Sequence, residues 1–220
     1  MRTVVSAFFA ALARVRQAPA VHPRRLGFTG QLVVSGVNAV LPKGTYPATV
    51  QLSKGAGVPG RWPDVLGIAV RLQPKQTPWD FLFSSAGRGR LSRWIPVPAP
   101  DWNVARYGTL GPYEVAGHNW WLMLTPDGGR TGHASVDALH KRAPSTFTVS
   151  ISGERPRWVR IGELELFSPS TDVLTFDPVL NHPGHAVPGP PWLRQLRELA
   201  YQGSRRGRRI PSEREENRCP

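Results

Sequence analysis

Apolar and polar side chains alternate over several stretches of the chain. The alternation predicts strands near 28–35, 47–53, 66–73, 79–84, 118–125, 145–152 and 158–167. Val50 and Leu52 stand between polar neighbours. Gly55, Gly57 and Gly60 with Pro59 then mark a loop, Ile68, Val70 and Leu72 restart the alternation, and Pro74 ends it. Asp127-Gly128-Gly129, after the run from Trp120 to Leu124, predicts a hairpin-type turn. At the two ends the period changes. Val4, Val5, Phe8, Phe9 and Leu12 form a stripe that predicts a helix over 3–16, and Leu193, Leu196, Leu199 and Ala200 predict one over 191–203. A short helix is expected from Ser135 to Arg142, and an irregular Pro- and Arg-rich segment over 86–104. Strands with helices at both termini argue an α+β fold on an antiparallel sheet or closed β-barrel. A barrel of this size could enclose a ligand.

The C-terminal helix carries the most telling chemistry. Arg197 lies four residues before Tyr201, on the same helix face. A cation so placed favours the phenolate over the phenol, and a phenolate can serve as a proximal ligand to haem iron. Ahead of it come Ile161-Gly162-Glu163-Leu164-Glu165-Leu166, Phe176-Asp177-Pro178 and Pro183-Gly184, and Arg206 follows Tyr201 by five residues. This order resembles the haem-ligand end of the catalase family. Two earlier segments resemble it in the right order. Gln51-Leu52-Ser53, a glycine loop, Asp64-x-x-Gly67-x-Ala69-Val70 and Trp79-Asp80 look like the catalase core. His22-Pro23-Arg24 with Gly27 and Gly30 looks like the segment that carries the distal histidine. The likeness covers most of the chain from about 20 to 207, and is poor from Arg88 to Ala143.

The resemblance implies a minimal, catalase-related α+β barrel that binds haem b, with Tyr201 as iron ligand and Arg197 lowering its pKa. It implies His22 as the distal acid–base group, which would move a proton between the two oxygens of a peroxide. It also implies Ser53 as the partner of His22, Arg206 near the phenolate or haem edge, and Gln51 at a haem propionate. Gln51 stands where the family has arginine, and an amide brings no charge to a carboxylate. Pro19 takes the place of a second arginine, Arg25 that of a glycine, and Ser84 or Ser85 that of the distal asparagine. A base without a strong orienting donor suits a peroxidase-type oxidoreductase, acting on hydrogen peroxide or organic peroxides with an organic reductant, more than a fast catalase. Two other classes stay open: a haem-free module of the same fold for a small anionic or lipid ligand, and a basic nucleic-acid-associated protein.

Composition narrows these readings. The 220 residues suit one domain, read as an arm over 1–20, a barrel domain over 21–207 and a polar tail over 208–220. The formal charge is +13, carried almost wholly by arginine, which favours anionic partners: haem propionates, phosphates, nucleic acid or membrane lipid. The tail has no interleaved aromatics and carries Glu213, Glu215 and Glu216 beside its arginines, so no specific nucleic-acid patch is expected there. Cys219 is the single cysteine, which excludes a disulfide framework, a zinc cluster and a thiolate haem site and suits a cytoplasmic protein. Ala18-Pro19-Ala20 has the form of a signal cleavage site, but Arg14 and Arg16 interrupt the apolar run before it, so an amphipathic helix is expected there. That run is also too short to span a membrane. His182 and His185 lack companion ligands, so no metal beyond haem iron is expected. Homo-oligomerisation is compatible with the resemblance.

Overall fold

The computed structural model describes residues 25–189, apart from 56, 57, 76, 130, 131, 172 and 173. The helices expected over 3–16 and 191–203 lie outside these residues. Ten strands are formed: β1 (Arg25–Val34), β2 (Gly44–Lys54), β3 (Leu66–Leu72), β4 (Trp79–Ser85), β5 (Tyr107–Gly108), β6 (Tyr113–Val115), β7 (His118–Pro126), β8 (Thr146–Ser152), β9 (Val159–Ser170) and β10 (Val187–Pro188). Among the described residues the α-helical content is one short helix, α1 (Val136–Arg142). The described part is therefore almost wholly β rather than evenly α+β.

Eight strands close into an antiparallel barrel in the order β1-β2-β3-β4-β5-β7-β8-β9, with β9 returning to β1. β6 and β10 extend the sheet from the first half of β7. The alternation read in the sequence is the inside–outside alternation of the barrel wall. On β3, Leu66, Ile68, Val70 and Leu72 point inward and are buried, while Gly67, Ala69 and Arg71 face outward. Closure needs glycine at one seam. A Cβ on Gly30 would overlap the carbonyl oxygen of Glu165, and one on Gly162 would overlap that of Val33. These residues lie beside the points where β9 bulges against β1 and β8.

Side chains fill the interior. Leu32, Val70, Phe81, Leu122, Val149 and Leu164, from six different strands, line a void of about 20 Å3. That is room for about one water molecule. Among the described residues the enclosed ligand site that the barrel suggested is not formed, which leaves the outer wall as the candidate surface for a larger ligand. One end is covered by Trp102 and α1. The Trp102 indole donates to Ser135 O at 3.0 Å, and Ser135 Oγ caps the helix by accepting the Ala138 N–H at 3.2 Å.

Asp127-Gly128-Gly129 does not close a tight hairpin. Asp127 N bonds Thr146 O, and the connection between them carries α1 before β8 returns beside β7. The tight two-residue hairpin instead joins β6 to β7 through Ala116 and Gly117, at φ 49° and 78°.

Candidate functional site

Gln51 and Ser53, two residues apart on β2, share the outer face of the barrel. The register extends them into rows across neighbouring strands. Arg25, Ser53, Gly67 and Ser84 are aligned, and beside them run Gly27, Gln51, Ala69 and Leu82. Most of these side chains are half-buried and small, which leaves a flat outer platform with Leu82 as its main apolar surface. Ser53 leans over Gly67, with its Oγ 3.2 Å from where a Cβ there would stand.

The strand alternation separates the two serines that the sequence left as alternatives. Ser84 faces the platform. Ser85 is turned away and buried, donating from Oγ to Val97 O at 2.6 Å and accepting the Leu66 N–H at 3.0 Å. Its role is to tie the 86–104 segment to the barrel. The inward alternation of Phe81 and Phe83 was the sequence signal for this.

Next to the platform, Arg71 and Asp80 face each other across β3 and β4. Arg71 Nε and Nη2 each donate to the Asp80 carboxylate at 2.7 Å, and Nη2 also reaches Thr175 O at 2.8 Å. The hydrogen bonds to Asp80 hold the Arg71 guanidinium above its ordinary pKa; burial opposes this and the Asp80 charge adds to it. Asp80 Oδ2 further accepts the Asp177 backbone N–H at 2.7 Å and the Asn181 amide at 2.8 Å. Trp79-Asp80 and Phe176-Asp177-Pro178, distant in sequence, thus meet in one network. A strap over 174–181 is bound by it to the barrel wall, with Arg71 over the Phe176 ring at 5.4 Å.

His22, Arg197, Tyr201 and Arg206, the other expected site residues, lie outside the described residues, as does Pro19. His182 and His185 each contact a backbone carbonyl, of Pro183 at 3.0 Å and Val40 at 3.1 Å. No group of three or more His, Cys, Asp or Glu able to hold a metal occurs among the described residues. Nor is any helix among them long and apolar enough to cross a membrane.

Sequence reasoning missed Arg93, which looks like one more surface arginine of the 86–104 segment. It is buried, with its guanidinium 3.5 Å over the Trp121 ring, and it donates to Gly153 O and Glu154 O at 2.8 Å each. Burial lowers its pKa, the Arg90 charge adds to that, and Glu154 opposes both.

The architecture defines a closed eight-stranded antiparallel barrel whose candidate ligand face is external. That architecture is shared with catalases. A fungal catalase crystal structure superimposes with a TM-score of 0.61 at 11% identity, over 93% of this chain and 62% of that one. Catalase A from Saccharomyces cerevisiae gives 0.59 at 12%, over 90% and 63%. A bacterial catalase gives 0.61 at 13%, over 97% and 63%. The fold is catalase-like, and this chain spans under two thirds of the length of those catalases. No protein-family model matches the sequence, and no curated protein matches it.

Proposed function

We propose that this is a catalase-related haem protein, a peroxidase-type oxidoreductase acting on hydrogen peroxide or organic peroxides with little true catalase turnover. The observation that carries the reading is the external platform, where Gln51, Ser53 and Ser84 are interleaved with Gly27, Gly67 and Ala69 on a catalase-like barrel. The ordered motifs of the sequence support it, since two of them meet in the Asp80 network.

The described residues fit a flat, partly apolar group. Gly27, Gly67 and Ala69 keep the outer wall low, Leu82 offers apolar contact, and the Gln51 amide can donate to a carboxylate. In this reading Tyr201 holds the iron, Arg197 keeps the tyrosine ionised, and Arg206 screens the phenolate or the haem edge. His22 takes and returns the peroxide proton, and Ser53 orients His22. Haem b, when bound, supplies the redox chemistry. Gln51 in place of a cation, and serine in place of the orienting amide, favour slow turnover over fast disproportionation.

The test is the ultraviolet–visible spectrum of the full chain, as isolated and after hemin addition. A Soret band of high-spin ferric, phenolate-ligated type, lost in Tyr201→Phe along with peroxide turnover, is expected. No Soret band and no saturable hemin uptake would overturn the haem reading. The second reading, a haem-free module for a small anionic or lipid ligand, would then stand. Gln51 favours it, and the filled interior requires that ligand too to sit on the outer face.

A further inference from the structure

We propose that a second surface, made of residues outside the Gln51–Ser53 platform, docks this protein onto anionic lipid bilayers. Two loops build it, one over 88–95 and one over 153–159. Three contacts tie them together. The Arg93 guanidinium donates to Gly153 O and to Glu154 O, and the Trp158 indole donates to Arg88 O at 3.0 Å. The loops therefore form one fixed surface rather than two independent ones.

That surface is strongly cationic. Arg88, Arg90, Arg155 and Arg157 are all exposed on it. Glu154, the acid among them, sits near Arg93, which is buried beneath. Arg160 is set apart from this group by its own ion pair with Glu163 at 2.5 Å. Large aliphatic side chains stand exposed in the same two loops: Leu91 at 66%, Ile95 at 54% and Val159 at 55%.

The combination selects the partner. Arginines alone would suit any polyanion. Exposed aliphatics beside them gain nothing from a phosphate backbone but gain from entering the acyl boundary of a bilayer while the guanidinium groups meet lipid phosphates. The partner is therefore a membrane surface rich in anionic headgroups, bound peripherally. This inference does not depend on haem binding.

The experiment is co-sedimentation of the full chain with vesicles, of phosphatidylcholine alone or with about one third phosphatidylglycerol. Binding to the anionic vesicles alone, weakening as salt rises, is expected. Replacing Arg88, Arg90, Arg155 and Arg157 together by glutamine should weaken binding by roughly several hundredfold, at about fivefold per arginine. Leu91→Ser with Ile95→Ser should weaken binding while leaving its salt dependence in place. Neutralising Lys43, Lys75 and Lys141, exposed on two other loops and on α1, should change it by no more than about twofold. Equal binding to both vesicles, or full binding by the four-arginine variant, would overturn the proposal. So would binding to duplex DNA that exceeds vesicle binding and ignores Leu91 and Ile95.

Discussion

The Asp80 carboxylate, on an outward-facing position of β4, is buried because the backbone N–H of Asp177 closes over it at 2.7 Å. Arg71 and Asn181 complete its hydrogen bonds. A carboxylate in this position binds three partners, and removing it leaves Arg71 without its counter-charge and two N–H donors unpaired. Asp80→Ala should therefore lose about 3–5 kcal/mol of stability. Asp80→Asn should lose less, because an amide oxygen can still accept from Asp177. Urea unfolding midpoints at constant slope measure both. A loss under about 1 kcal/mol for Asp80→Ala would show that the strap is held by other contacts.

The glycines divide into two kinds. Gly30 and Gly162 face backbone carbonyls across the β1–β9 seam, and backbone cannot move aside cheaply. Gly67, on the outer wall, has the Ser53 hydroxyl at 3.2 Å as its tightest neighbour, with the Ser53 and Phe83 carbonyl oxygens at ordinary contact distances of 3.6 and 3.8 Å. Alanine at Gly30 or Gly162 should cost about 2–4 kcal/mol or prevent folding. Alanine at Gly67 should cost less than about 1 kcal/mol. Thermal unfolding of the three variants compares them directly, and equal losses would mean that the seam relaxes more freely than this packing implies.

Tyr107 is fully buried, and its hydroxyl donates to Trp102 O at 2.7 Å. Burial, and then the Asp101 charge, raise its pKa well above 10. The folded state thus keeps a proton that the unfolded chain releases above about pH 10. The linked stability is complete below that pH and is lost as pH rises past it, at up to about 1.4 kcal/mol per pH unit. Tyr107→Phe should cost about 1–3 kcal/mol at neutral pH, since Trp102 O loses its donor, and should flatten the fall between pH 9.5 and 11 by about that slope. Unfolding free energies across this range test it. An unchanged slope in the variant would place the alkaline loss elsewhere.

Strands long enough to show a period were legible in the sequence. The alternation of Val50, Leu52, Ile68, Val70 and Leu72 gave β3 to within one residue and the middle of β2, which begins three residues before the expected start. β5, β6 and β10, of two, three and two residues, are too short to carry a period and exist only through their partners. The turns around them were hidden as well, since Leu110 and Ala116 adopt positive φ without being turn-forming residues. The same alternation gave the outward face of Gln51 and Ser53, and it held the answer for Ser84 against Ser85. What joins Asp80 to Asp177 was not legible, because a hydrogen bond between residues 97 apart leaves no local pattern. Arg93 was hidden for a related reason: its burial depends on Trp121 and on two carbonyls that only the folded barrel brings near.

Gln51 gives the sharpest test of the platform as a ligand face. Its register neighbours on either side are Gly27 and Ala69, so a longer side chain can extend along the outer wall without displacing the core. In the haem reading the amide meets a propionate, and a guanidinium there would supply the missing charge and a second hydrogen bond. Gln51→Arg should then tighten hemin binding by about tenfold, worth about 1.4 kcal/mol, with stability changed by no more than about 0.5 kcal/mol. A hemin titration followed at the Soret band, run beside Tyr201→Phe, measures the change. Tighter binding that weakens again as salt rises would mark a direct charge contact. Unchanged affinity in Gln51→Arg, with a Soret band still lost in Tyr201→Phe, would mean that the haem carboxylates point away from β2 and that another cation of this arginine-rich chain receives them.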